Sequence, residues 1–253
     1  MEQQAAPTFS LPRPRAVMIG LLATMFVGWA VMASLAKWGQ DLRPFDLLVG
    51  KPEALFSEPW RIFTNPFVHD YRSLAHVATN LVFFYFMATP LEERWKKGRF
   101  LGSMLASAWI ASFVELLLER YVPWFRTNSV VFGSIAMTNA ACVAWAVQLR
   151  GAQVRLYGAL PMSSTALLVL IVVMNVISVL AGGRFEGTTT PFVAMGLGFL
   201  LSDMSPLRRL YLQARYRRLA QQSARLHVER EGRAALRVIQ GGASKKPDRS
   251  MMN

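Results

Sequence analysis

His76 and Asn80 stand four positions apart, a spacing that sets both on one face of a helix, where both could donate hydrogen bonds to a single oxygen in a cavity. The same pair would also serve as polar glue between two membrane helices. His69 lies just before this pair, and the third histidine, His227, belongs to a basic C-terminal stretch, so region 163–205 carries no imidazole. The single cysteine, Cys142, sits inside an apolar block, which excludes an internal disulfide and any cysteine-based metal cluster. No metal or cofactor is expected. Glu115, Glu119 and Arg120 are read as a solvated helix terminus, Asn175 as a bond to a neighbouring helix, and Asp203 with Ser205 as the exit of the last apolar helix.

The elements that position these residues must lie in a membrane. Hydrophobic residues make up 53% of the 253 and charged ones 17%, and the apolar residues come in long blocks rather than in the short alternations of a soluble core. The first block runs from about Ala16 to Ala36, long enough to cross ~30 Å of hydrocarbon, and reads as a retained helix rather than a cleaved signal. Residues 37–73, with Pro44, Pro52, Pro59 and Pro66 among short apolar pieces, read as a structured loop in or on the interface. Further blocks follow at about Leu74–Ala88, Phe100–Leu118, Ser129–Leu149, Ser163–Leu180 and Pro191–Leu201. For the last, Thr190 is expected to cap a helix whose first position is taken by Pro191.

This gives an all-α membrane protein of about six transmembrane helices: a segment 1–15, a membrane domain 16–205 and a basic tail 206–253. The net charge of +13 does not point to nucleic acid, because 12 of the 28 Lys and Arg lie after Leu207. Counted along alternate loops, one set holds 20 of these cations and the other 8, which places both termini and the tail in the cytoplasm. In the tail, Leu212, Tyr216, Leu219 and Leu226 gather on one helical face among arginines, a pattern suited to anionic lipid or a cytoplasmic partner. Residues from Gly241 onward are expected to be disordered.

The stretch from Glu58 to Arg99 reads EPWRIFTNPFVHDYRSLAHVATNLVFFYFMATPLEERWKKGR. Its WR pair, then FxxxFVH, then HxxxN, then LEExW, resembles the rhomboid superfamily, and Trp60-Arg61 also resembles the loop motif of the Derlins within it. The resemblance implies a rhomboid-like bundle of six transmembrane helices with an interfacial loop after helix 1. It also implies that His76 and Asn80 help to form an oxyanion hole, and that Trp60, Arg61, Glu92 and Arg94 anchor the loop, Arg61 meeting Glu92 or a backbone carbonyl near it.

Active members of that family attack with a serine in a GxSG motif at the start of helix 4, activated by a histidine in helix 6. Here helix 4 begins VFGSIAMTNAACVAW. If Ser134 takes the nucleophile position, Phe132 and Ile135 replace the glycines. If Gly133 takes the first glycine position, Ile135 replaces the serine. The base would fall at about Thr189–Phe192, where no residue can accept a proton near neutral pH. Ser134 is then expected to bond its own helix backbone, and neither His69 nor His76 is expected within reach of its hydroxyl. Small residues at helical spacing, Gly133, Ala136, Ala140 and Ala144 against Ala194, Gly196 and Gly198, would let helices 4 and 6 approach closely.

The expectation is therefore a rhomboid-like pseudoprotease that binds transmembrane segments of client proteins, with His69, His76 and Asn80 at the client site, and influences their folding, trafficking or degradation. The alternative is an intramembrane serine endopeptidase using Ser134 with a non-standard base. Membrane lipid and client proteins are the expected partners, in a bacterial inner membrane.

Overall fold

The computed structural model describes residues 12–125, 130–148, 153–156, 160–181 and 187–241. Ser129 and Leu149, expected to bound the fourth helix, lie outside these residues. So do the first part of the N-terminal segment and the expected disordered end. The chain divides into two compact units, Met1–Ser205 and Pro206–Asn253.

The first unit is an all-α membrane bundle. α1 (Ala16–Ser34) runs into a π-helical turn (Leu35–Gly39) that ends where Gln40 takes a left-handed conformation, φ 50°. The following loop carries two short helices, α2 (Arg43–Leu48) and α3 (Trp60–Thr64). Then come α4 (Leu74–Arg94), α5 (Lys97–Tyr121), α6 (Ile135–Gln148), α7 (Ser164–Leu180) and α8 (Thr190–Leu201). Between α6 and α7 stands a hairpin that the sequence reading missed: β1 (Gln153–Leu156) pairs antiparallel with β2 (Leu160–Ser163), Val154 opposite Met162. The spans Ala16–Gly39, Leu74–Arg94 and Lys97–Tyr121 are long and apolar enough to cross a membrane, and α6 and α7 are shorter apolar helices. Most outward-facing residues on α1 and α7 are apolar, among them Phe26, Val27, Met174 and Leu180, whereas Ser107, Ser112 and Glu115 of α5 are buried inside. Such an inversion suits lipid, which offers no hydrogen bonds, and puts polar groups where neighbouring helices can satisfy them.

The helix starts show how the bundle is held. Ser73 caps α4 by accepting from the His76 amide at 3.1 Å, and Ser163 caps α7 by accepting from Ala166 at 3.0 Å. α4 passes Pro90 without ending and so runs beyond the expected Ala88. That extension carries Glu92 to the start of α1, where its carboxylate accepts from the amides of Arg15 (2.8 Å), Val17 (3.0 Å) and Met18 (3.2 Å). An anion at a helix N-terminus satisfies orphan donors and complements the helix dipole.

α6 lies at the centre, every residue from Ala136 to Val147 being buried. Its closest neighbour is α8: a Cβ on Gly198 would stand 2.7 Å from Ala140 Cα and nearer still to its carbonyl oxygen, so only glycine permits this crossing. Gly196, expected in the same strip, instead faces open space. Two residues along a helix is more than half a turn, which carries it away from the seam.

The second unit is described through α9 (Pro206–Gly241), a helix of 36 residues on which Leu212, Tyr216, Leu219 and Leu226 are all exposed.

Candidate functional site

The loop between α1 and α4 is anchored by its own backbone. Arg61 is buried, pairs with Glu58, and donates to the carbonyls of Asp46 and Val49, the latter at 3.0 Å. Trp60, half exposed, donates from Nε1 to Leu47 O at 3.2 Å, and Thr64 donates to Leu48 O at 2.7 Å. Arg61 makes no contact with Glu92, contrary to the expectation. The two stand at opposite ends of α4, whose length from Leu74 to Glu92 is about 27 Å, and Glu92 is engaged by α1. Arg94 is exposed beside it.

This loop also sets the start of α6. Gly50 and Val131 pair antiparallel through N–O contacts of 2.8 and 2.9 Å, and the Gly133 amide donates to Asn65 O at 3.0 Å. Asn65 in turn accepts from Ser112 of α5 at 2.9 Å through Oδ1. Gly133 has φ 105°, a conformation that only glycine adopts without strain, and this turn delivers Ser134 to the cap position of α6.

There the structure brings together two residues that the sequence reading kept apart. His69 Nε2 stands 3.2 Å from Ser134 Oγ, and both side chains are fully buried. His69 reaches the serine because the chain from Phe67 to Ser73 crosses the mouth of the bundle instead of joining α4, tied to α1 by Trp29 Nε1 donating to Asp70 O at 3.0 Å. The His76 ring lies 5.9 Å from that of His69 and 6.3 Å from Phe132, and its Nε2 is 3.2 Å from Asn80 Nδ2. Burial, followed by the neighbouring His76, holds the His69 imidazole well below its usual value, at about 4, with the Phe67 backbone pulling weakly the other way. His69 is therefore neutral at pH 7. Nε2 can accept the serine proton only in the tautomer with hydrogen on Nδ1, and no side chain among the described residues is hydrogen-bonded to Nδ1. A serine beside a base is the first requirement of nucleophilic catalysis; a third side chain to orient the base is the second, and none is seen among the described residues.

Ser134 and His69 do not line the cavity beside them. That cavity, about 570 Å³, opens between α4, α6 and α7 and is walled by Leu167, Leu170, Ile171 and Met174. Into it face His76, Thr79 and Asn80 of α4, Thr138 and Asn139 of α6, and Asn175 and Ser178 of α7. Asn175 donates to Asn139 Oδ1 at 2.9 Å and to Ile171 O at 2.7 Å, while Asn139 donates to Ile135 O at 3.0 Å. The bond expected of Asn175 to a neighbouring helix is thus made to α6.

The start of α8, where the resemblance would place a base, is occupied differently. Glu115 is fully buried, and its carboxylate accepts from the amides of Thr188 (2.7 Å), Thr189 (2.5 Å) and Thr190 (2.8 Å), and from the Thr189 hydroxyl. Glu115 and Glu119 are therefore not a solvated terminus. Nor does Thr190 cap the helix: Thr189 takes the cap position without a side-chain cap bond, because Glu115 already holds these amides. A Cβ on Gly187, at φ 86°, would meet Glu115 at 2.8 Å, so the turn and the carboxylate fit each other closely. One signal was legible: a Gly-Thr-Thr-Thr-Pro helix start exposes several amides, and Glu115 is a carboxylate inside an apolar block.

Apolar helices joined by internal polar bonds, an ordered loop after the first of them, and a buried serine at the foot of a small-residue central helix define a polytopic membrane protein. The family model described as Rhomboid domain matches residues 57–202, more than half of the chain, and the chain belongs to the rhomboid family. A comparison with curated proteins finds no match.

Proposed function

We propose that this protein is a rhomboid pseudoprotease that holds transmembrane segments of client proteins in the cavity between α4, α6 and α7 and so influences their folding, trafficking or degradation. The observation that carries the reading is the separation of cavity from serine: His76, Asn80, Asn139 and Asn175 face the cavity, whereas Ser134 and His69 are sealed from it. A client helix carrying polar or helix-breaking residues leaves hydrogen-bonding groups unpaired in hydrocarbon, and carboxamides along an apolar groove give them partners. Interhelical hydrogen bonds in membranes contribute about 0.6–2 kcal/mol each, which suits reversible selection better than permanent capture. The Derlin-like Trp60-Arg61 pair in the loop agrees with such non-catalytic handling. The cation distribution supports an orientation with both termini in the cytoplasm.

One observation favours a second reading. The 3.2 Å approach of His69 to Ser134 has the composition of a catalytic dyad, which would make the protein an intramembrane serine endopeptidase with its base in the segment before α4. Two assays separate the readings. Photocrosslinkers placed at Thr79 and Ile171 are expected to capture transmembrane segments, with capture kept in Ser134→Ala and reduced in Asn80→Leu. Fluorophosphonate labelling and cleavage of transmembrane substrates are expected to be absent; cleavage by the wild type that Ser134→Ala and His69→Ala both abolish would establish the second reading instead.

A further inference from the structure

The described side chains of α9 do not line the cavity, yet this helix combines a cluster of arginines with exposed apolar side chains. Pro206–Gly241 contains nine arginines, no lysine and two glutamates. Leu212, Tyr216, Leu219 and Leu226 recur at helical spacing and are exposed by 46, 75, 53 and 58% respectively. Arg208, Arg215 and Arg218 stand beside this face, and an arginine can lay its stem on an apolar surface while its head reaches a phosphate bidentately. We propose that α9 is a docking surface for anionic phospholipid, lying along the bilayer surface with Leu212, Tyr216, Leu219 and Leu226 entering the interface and its arginines on lipid phosphates.

Connectivity and charge argue for this occupant. Only residues 202–205 separate the end of α8 from Pro206 in sequence, so α9 is tethered directly to a membrane domain. A second copy of α9 is a poor alternative, since two such helices side by side would oppose arginine to arginine with few glutamates to compensate. Tyrosine favours the headgroup boundary, as Tyr211 and Tyr216 would here.

The test uses the full chain in nanodiscs of phosphatidylcholine alone and of phosphatidylcholine with phosphatidylglycerol, carrying an environment-sensitive fluorophore on Ala220→Cys in a Cys142→Ala background. Quenching by a water-soluble agent is expected to fall several-fold in the anionic discs, and to recover in high salt and in the triple variant Arg215→Glu/Arg217→Glu/Arg218→Glu. Circular dichroism of the triple variant checks that its helix is retained. Equal quenching in both lipids would overturn the proposal. Protection that appears in phosphatidylcholine and grows with protein density would overturn it in favour of self-association, and protection seen only with an added soluble protein would do so in favour of a protein partner.

Discussion

His69 is held neutral by its surroundings, with a value of about 4 against the usual 6.5 of an imidazole that unfolding would expose. The folded state thus binds fewer protons than the unfolded one between these values. The linked stability is fully present above about pH 6.5 and is lost as the pH falls toward 4, up to about 3 kcal/mol. Denaturation of the detergent-solubilised protein should show that slope, and His69→Gln should flatten it. Glu115 gives a second test: Glu115→Leu leaves three amides of the α8 start without their acceptor, and a loss of several kcal/mol is expected, with Glu115→Gln losing less because it keeps one acceptor oxygen. Thermal unfolding in detergent measures both. The role of Glu115 left one signal in the sequence, a carboxylate inside an apolar block, but that of His69 left none. His69 is a loop residue 65 positions from Ser134, and no periodicity links a loop to a helix start. The Arg61–Glu92 pairing failed for a related reason: shared membership in a motif says nothing about which end of a helix each residue occupies.

At the scale of elements, two helix starts are each capped by a buried glutamate from another helix: Glu92 of α4 at α1, and Glu115 of α5 at α8. Burying a carboxylate is costly unless hydrogen bonds compensate, and several convergent amides provide them. The apolar blocks themselves were readable because hydrophobic length signals a membrane helix directly. The hairpin was not, since strands of four residues leave too little alternation to outweigh the apolar runs on either side. The glycines of α8 offer a sharp contrast. Gly198→Ala should destabilise the bundle by about 1–3 kcal/mol, because the new methyl meets Ala140 backbone, whereas Gly196→Ala should be neutral or slightly stabilising in open space. Melting temperatures of the two variants, compared in one detergent, check this.

For the whole molecule, the division at Ser205 predicts that a chain ending there still inserts and folds, since residues 206–253 carry no apolar block long enough to span hydrocarbon. Protease resistance and a monodisperse gel-filtration profile of the truncated protein are the expected outcomes. Reporter fusions after Arg155 and after Arg218 should register on the cytoplasmic side and one within residues 45–58 on the other.

α8 has 12 residues, about 18 Å of helix, well short of the ~30 Å that hydrocarbon presents. α5 grips it at both ends: Glu115 holds its first amides, and Arg99 donates to Leu201 O at 2.9 Å while pairing with Asp203 at 2.6 Å. A negative group meets the positive end of the helix and a positive group the negative end. This clamp bears on biogenesis. A segment so short is a weak insertion signal when it leaves the ribosome, but by then α5 is already synthesised, with its two charges spaced to receive it. The final helix of the bundle is accordingly expected to depend on α5 for its place in the membrane, and variants that lose either clamp should accumulate as chains whose C-terminal part is misrouted although their first helices are in place.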